Sequence, residues 1–257
     1  MSYLAFHFVF LLPPILILWA TQPSPLAGVG GRRGRYAIPI ICLIAFSYTT
    51  PWDNYLVARE VWWYGPERVL ATIGYVPVEE YAFFILQPIL TGLFLYQYIA
   101  RWTPVRRSTS LKAQYIGAAV WIVLSAIAAW LVFSGWDPGL YMGLILVWAC
   151  PVLAGMWLYA GRLVWALRGP VAVGVAIPTL YLWVADAIAI HQGIWEISSA
   201  FTVGLRPFGL PVEEALFFLV TNILCVKGTL LFLFEEHRFI PDEPAPVPAG
   251  ASPSQID

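Results

Sequence analysis

Seven apolar stretches, separated by short polar connectors, account for most of the 257 residues; they fall at 3–20, 36–48, 77–99, 115–133, 140–160, 171–190 and 211–234. A helix needs about 20 predominantly apolar residues to cross the hydrocarbon core of a bilayer. All but the second stretch reach or approach that length. The second runs into Thr50-Pro51, and a crossing there requires the helix to continue past the proline with a kink. The first lacks the basic flank and the small-residue cleavage site of a signal peptide, so it is expected to be a retained helix. The pattern predicts an all-α integral membrane protein with seven transmembrane helices.

Charge between the stretches sets an expected orientation. Arg32, Arg33 and Arg35 follow the first, Arg101, Arg106, Arg107 and Lys112 the third, Arg162 and Arg168 the fifth, and His237 and Arg238 the seventh. The alternate connectors carry Asp53, Glu60, Glu67, Asp137 and Glu196, against Arg59, Arg68 and Arg206. Positive residues collect on the cytoplasmic side. The expectation is a multi-pass cell-membrane protein with its N-terminus outside and its C-terminus cytoplasmic. Lys227, on the seventh stretch, reads as a lysine snorkelling to the cytoplasmic interface.

The chain is also written twice. Val76-Pro77-Val78-Glu79-Glu80-Tyr81-Ala82-Phe83-Phe84 returns as Leu210-Pro211-Val212-Glu213-Glu214-Ala215-Leu216-Phe217-Phe218. Asp53 and Asp186 lie 133 residues apart, as do Trp62 and Trp195, while Glu79 and Glu213 lie 134 apart. One half is thus a divergent copy of the other. Residues 1–100 form the first three-helix unit, 101–138 a linker with one joining helix, and 139–234 the second unit; 235–257, rich in Pro, Ala and Ser, read as a disordered tail. An odd linker helix makes the units parallel, a 3+1+3 plan about an axis along the membrane normal. Both Glu pairs then open their helices at the same, outer face.

Composition narrows the class further. The chain is 60% hydrophobic and 11% charged, with 13 Trp, 13 Tyr and 15 Phe, whereas a soluble domain carries about 25% charged residues. A net charge of −1 and the absence of a basic patch argue against nucleic acid. Cys42, Cys150 and Cys225 stand singly in apolar runs, with neither metal nor disulfide spacing.

Acids in the first turn of a helix are ordinary, because the N-terminal N–H groups favour negative charge. Two doubled acids in register with two further aspartates are less ordinary. Intramembrane carboxylates are functional candidates by default, and here Glu79, Glu80, Glu213, Glu214, Asp53 and Asp186 can converge at one end of a bundle. Carboxyls crowded against apolar walls retain protons near neutral pH, as a general acid must, and an unequal pair supplies an acid and a base. Trp52, Trp62, Trp195, Phe83, Phe84, Phe217 and Phe218 can line the same space, and aromatic faces attract cations. Acid, base and aromatic wall together suit carbocation chemistry on an isoprenoid. If the site is shared, loss of either leading glutamate, Glu79 or Glu213, stops the reaction altogether.

Thr50-Pro51-Trp52-Asp53-Asn54, with the two Pro-Val-Glu-Glu motifs on this duplicated plan, resembles the fused form of the heterodimeric-type lycopene β-cyclases. The resemblance covers the chain to about residue 234. It implies conversion of the ψ end groups of lycopene to β rings, giving γ- and then β-carotene, with the four glutamates as catalytic carboxylates. It implies protonation at C2, capture of the C1 cation by C5=C6, and loss of a proton from C6, with no redox change. Lycopene as a lipophilic substrate entering from membrane lipid follows, with carotenoid-pathway enzymes as candidate partners. The second unit departs from the motif, having Val184-Ala185-Asp186-Ala187 where the first has Pro51-Trp52-Asp53-Asn54.

No dinucleotide fingerprint follows a strand, and Gly28-Val29-Gly30-Gly31-Arg32-Arg33 has arginine where the third glycine belongs. Neither an organic cofactor nor a metal is expected. Other readings stay open: an ε-ring or C50 end-group cyclase, or a small transporter of parallel three-helix repeats. Aspartate-rich magnesium motifs of a prenyltransferase do not occur. His191, five residues after Asp186, can orient that carboxylate or simply sit at the interface.

Overall fold

A computed structural model describes residues 1–22, 31–101 and 109–234. Seven long helices dominate: α1 (Tyr3–Ala20), α2 (Ala37–Ala58), α3 (Val78–Arg101), α4 (Leu111–Phe133), α5 (Leu140–Ala166), α6 (Arg168–His191) and α7 (Val212–Phe234). Among the described residues, six of these are long and apolar enough to cross a membrane, the mark of a multi-pass membrane protein; α2 falls short in composition. Its second half, from Ser47 to Asn54, is where the polar residues gather.

Prolines lie inside these helices without ending them. Pro51 lies inside α2, where the Thr50 hydroxyl donates to Phe46 O (2.6 Å) and the Asn54 amide to Thr50 O (2.9 Å). Such side-chain bonds take up backbone groups around a residue that has no N–H of its own. In α1 a π turn at His7–Leu11 precedes Pro13 and Pro14. The fifth stretch, expected to end at residue 160, continues to Ala166 past a kink at Ala160.

The joining helix α4 packs chiefly along α5 and leaves most of its surface outward. Close approach is permitted by glycine. A Cβ on Gly143 would stand 2.9 Å from Leu131 Cβ and 3.2 Å from Ala128 O, and one on Gly161 would meet Gln114 Cα at 2.9 Å. Small residues serve this purpose in membrane helices, where no hydrophobic effect pulls helix to helix. Deeper in the molecule, Gln87 Nε2 and Thr91 Oγ1 donate to Asn222 Oδ1 (2.6 and 2.7 Å), and Asn222 Nδ2 donates to Thr179 Oγ1 (2.9 Å). These bonds tie α3, α6 and α7 together in the apolar interior.

The expected helical fold holds, and among the described residues the connectors add four short strands. Strands β1 (Trp62–Tyr64) and β4 (Trp195–Ile197) pair antiparallel, with Trp63 opposite Glu196; β2 (Thr72–Ile73) pairs with β3 (Val76–Pro77). Pieces of two or three residues are too short for an alternating pattern to declare them. Lys227 needs correction. It is 4% exposed, and its Nζ stands 5.2 and 5.1 Å over the rings of Trp121 and Trp157. Two indole faces hold the ammonium in place, because α4 and α5 lie across the lysine's path to the interface. The tail at 235–257 lies outside the described residues.

Candidate active site

Both Glu pairs start a long helix directly after an irregular connector, and each leading glutamate turns back to that connector. Glu79 Oε1 accepts the Leu70 N–H at 2.8 Å, and Glu213 Oε1 accepts the Val203 N–H at 2.8 Å. The following glutamates, Glu80 and Glu214, face the bundle interior. They reach one buried cavity of about 40 Å³ together with Asp53 from α2 and Asp186 from α6. Of the six carboxylates singled out in the sequence, the fold gathers four and sets Glu79 and Glu213 apart as loop anchors.

The strand pair closes this chamber. Successive residues of a strand point to opposite faces, so Trp62 and Tyr64 from β1, and Trp195 and Ile197 from β4, face inward; Trp63, at 43% exposure, faces out. Flanking backbone bonds extend the pairing at both ends of the strands: Ser198 N donates to Val61 O (2.9 Å) and Gly65 N to Ile194 O (3.0 Å). The first helix of each half is tied in the same way, Tyr3 N to Arg68 O (2.8 Å) and Tyr141 N to Phe201 O (3.2 Å).

Those two tyrosines are the residues sequence reasoning missed. Tyr3 Oη donates to Glu80 Oε2 at 2.7 Å, and Tyr141 Oη donates to Glu214 Oε1 at 2.6 Å. A signal was available: each stands at the start of the first helix of its half. Tyr64, also missed, donates to the same Glu80 oxygen at 3.2 Å and accepts a long bond of 3.4 Å from Trp62 Nε1. Burial pushes the Tyr64 phenol well above its ordinary range, and the charges of Glu80 and Asp53 add to the effect. It therefore stays protonated and remains a donor. Trp195 Nε1 donates to Asp186 Oδ1 at 2.9 Å. Among the described residues no bond runs from His191 to Asp186 and Asp53 accepts none; the Oδ2 atoms of Asp53 and Asp186 are both buried without a partner.

Aromatic side chains complete the walls. Phe83, Phe217 and Phe218 line the chamber, with the Phe83–Phe218 and Phe217–Phe218 centroids 6.0 and 5.4 Å apart. Trp52 lies behind them, stacked on Phe217 (5.7 Å, 5°) and on Trp148 (5.0 Å, 26°). Phe84 faces elsewhere. It lines an apolar groove of about 270 Å³ between α2, α3, α5 and α7, and Phe83 and Phe217 belong to the walls of both spaces. The groove continues along α7 to Leu231 and Phe232, at the far end of the bundle. A volume of 40 Å³ holds a water or two, so an organic group enters the chamber only if this aromatic partition moves. Among the described residues no three His, Cys, Asp or Glu gather as a metal site.

A family model described as lycopene cyclase matches residues 1–99 and 138–232. A protein of Halobacterium salinarum named lycopene beta-cyclase is 39% identical over 236 residues, covering 90% of this chain and 95% of that protein. A bifunctional lycopene cyclase/phytoene synthase of Blakeslea trispora is 38% identical over 243 residues, 89% of this chain and 38% of that longer protein. Its counterpart in Neurospora crassa is 35% identical over 250 residues, 90% of this chain and 39% of the relative. No solved structure matches.

Proposed function

The chain belongs to the lycopene cyclase family, and from that premise we propose that it is a flavin-independent lycopene β-cyclase whose reaction runs in the carboxylate chamber. The observation that carries this reading is the meeting of Asp53, Glu80, Asp186 and Glu214 in one buried, aromatic-walled cavity beside an apolar groove. A carboxylic acid protonates C2 of the end group, the C1 cation is captured by C5=C6, and a carboxylate takes the proton from C6. One proton is given and one recovered, so the product is an isomer. Phe83, Phe217 and Phe218 present π faces to the cation. With the site closed, water is kept from capturing that cation. The polyene lies in the groove, and lycopene enters from surrounding lipid.

The finer architecture belongs to the same reading. Seven spans, α2 included, form two parallel three-helix units joined by α4. Two findings support it. The family match falls in two stretches that leave out 100–137, the segment carrying α4. In the strand pair, Trp63 faces Glu196, which are corresponding positions 133 residues apart, as a twofold axis through that pair requires. Loop charge puts the chamber end outside. Maleimide labelling of Glu67→Cys in intact cells, with Arg107→Cys unlabelled, is the expected result; the reverse pattern inverts the orientation.

Expression in lycopene-accumulating cells tests the activity. Red lycopene should give way to yellow bicyclic β-carotene. Pigment that stays lycopene, with the protein present in the membrane, would refute the assignment.

A further inference from the structure

The four carboxyls of the chamber are not equivalent. Glu80 Oε2 accepts two phenol donors, Tyr3 at 2.7 Å and Tyr64 at 3.2 Å. Glu214 accepts one, Tyr141 at 2.6 Å, and Asp186 accepts the Trp195 indole at 2.9 Å. Asp53 is 2% exposed and accepts no hydrogen bond among the described residues. The source of the difference is one position. Trp62 and Trp195 correspond, but two residues on stands Tyr64 in the first half and Ile197 in the second. Where the isoleucine stands, the indole is free to bind the aspartate; where the tyrosine stands, the indole turns to the phenol at 3.4 Å and the phenol turns to the glutamate. A single side chain thus adds a donor to Glu80 and withdraws one from Asp53.

We propose that Tyr64 divides the labour of the chamber, making Asp53 the acid that protonates the substrate and Glu80 the base that completes the ring. This rests on the cyclase reading above. Donors directed at a carboxyl favour its charged form, and a buried carboxyl without donors is held as the neutral acid. Asp53 gives its proton to C2, forming the C–H bond as the C1=C2 π bond is spent. Glu80 takes the proton from C6 as the ring double bond forms. Transfer of that proton from Glu80 back to Asp53 resets the chamber without an external reagent. The titratable groups facing this exchange are Asp186, Glu214, Tyr3, Tyr64 and Tyr141. Tyr64 is a positioning residue and the two carboxyls are the catalytic ones.

The test uses the full chain in lipid, with lycopene in deuterated water. Asp53→Asn should leave lycopene unconsumed and free of deuterium, about a 10²–10⁴-fold loss for a missing general acid. Asp53→Glu should restore measurable turnover, which separates the loss of the proton from damage to the fold. Glu80→Gln should still consume lycopene slowly and place deuterium at C2. Its cation then leaves by another route, giving ε rings or a hydrated end group. Tyr64→Phe should send a smaller share of product the same way with KM unchanged, an effect that a merely structural tyrosine does not produce. Asp186→Asn should slow turnover yet leave β rings as the product. The assignment is overturned if Asp186→Asn blocks consumption while Asp53→Asn permits it, or if Glu80→Gln leaves lycopene wholly untouched. A wild-type chain inert towards lycopene overturns the cyclase reading itself, an outcome distinct from either.

Discussion

Adjacent residues on a helix point roughly 100° apart, and that angle separates the members of each Glu pair. Glu79 and Glu213 each hold a connector N–H at 2.8 Å, while Glu80 and Glu214 line the chamber. Glutamine at the leading position keeps an acceptor oxygen for that N–H, so Glu79→Gln and Glu213→Gln should each cost less than about tenfold in β-ring formation. Glu80→Gln should cost about 10²–10⁴-fold, the usual share of a general acid or base. Pigment chromatography of the variants at matched expression checks the contrast, and equal losses at Glu79 and Glu80 would count against it. The sequence named all four glutamates and placed the expected loss of reaction on the leading Glu79 and Glu213, because a motif records spacing and not direction; the directions of the side chains shift that expectation to Glu80. The tyrosines escaped notice for a related reason. Tyr3 and Tyr141 sit among 13 tyrosines of an aromatic-rich chain, and only the packing of two first helices beside α3 and α7 brings their hydroxyls to the carboxylates.

At the scale of elements, long apolar runs declare themselves and short irregular pieces do not. Six helices were readable because burial in lipid demands continuous apolar residues. The second was harder to bound. Its polar half, with Asp53 and Asn54, faces protein: Asn54 Nδ2 meets the Tyr81 hydroxyl at 3.0 Å and the Trp52 indole donates to Leu144 O at 3.1 Å. A helix whose polar groups are satisfied by neighbours need not be apolar throughout, so hydropathy undercounts it. The strand pair that closes the chamber lay hidden in six residues, yet it supplies Trp62, Tyr64 and Trp195. Lys227 shows the same limit in reverse. Its place near the end of a stretch suggested a free path to the interface, whereas Trp121 of α4 and Trp157 of α5 stand over it. Neighbours of that kind come from helix packing, which no single stretch contains.

Taken whole, the molecule sets an apolar groove against its chamber, across an aromatic partition. Phe83 and Phe217 join the carboxylates to the groove between α2, α3, α5 and α7. On the other side of the bundle a second apolar pocket lies between α1, α3 and α6, lined by Leu18, Phe94 and Tyr181 among others, and none of its residues borders the chamber. The sequence repeat suggested a shared site but gave no hint that the two sides differ in access, since that depends on how the interior is filled. From Phe217 to Phe232 the groove follows α7 over about 22 Å at 1.5 Å per residue, most of an approximately 30 Å hydrocarbon core. A carotenoid lying along it has one end group at the carboxylates and the other near the opposite leaflet. If the polyene occupies the groove in this way, both ends cannot react in one binding event. The product of the first ring closure, γ-carotene, must leave the groove and return reversed before the second. A time course from lycopene should therefore show γ-carotene rise before β-carotene appears. Excess unlabelled lycopene added after a labelled pulse should trap the label as γ-carotene by competing for re-entry. If the pulse instead proceeds to labelled β-carotene regardless of the chase, both ends are reached without release and this placement of the polyene is refuted.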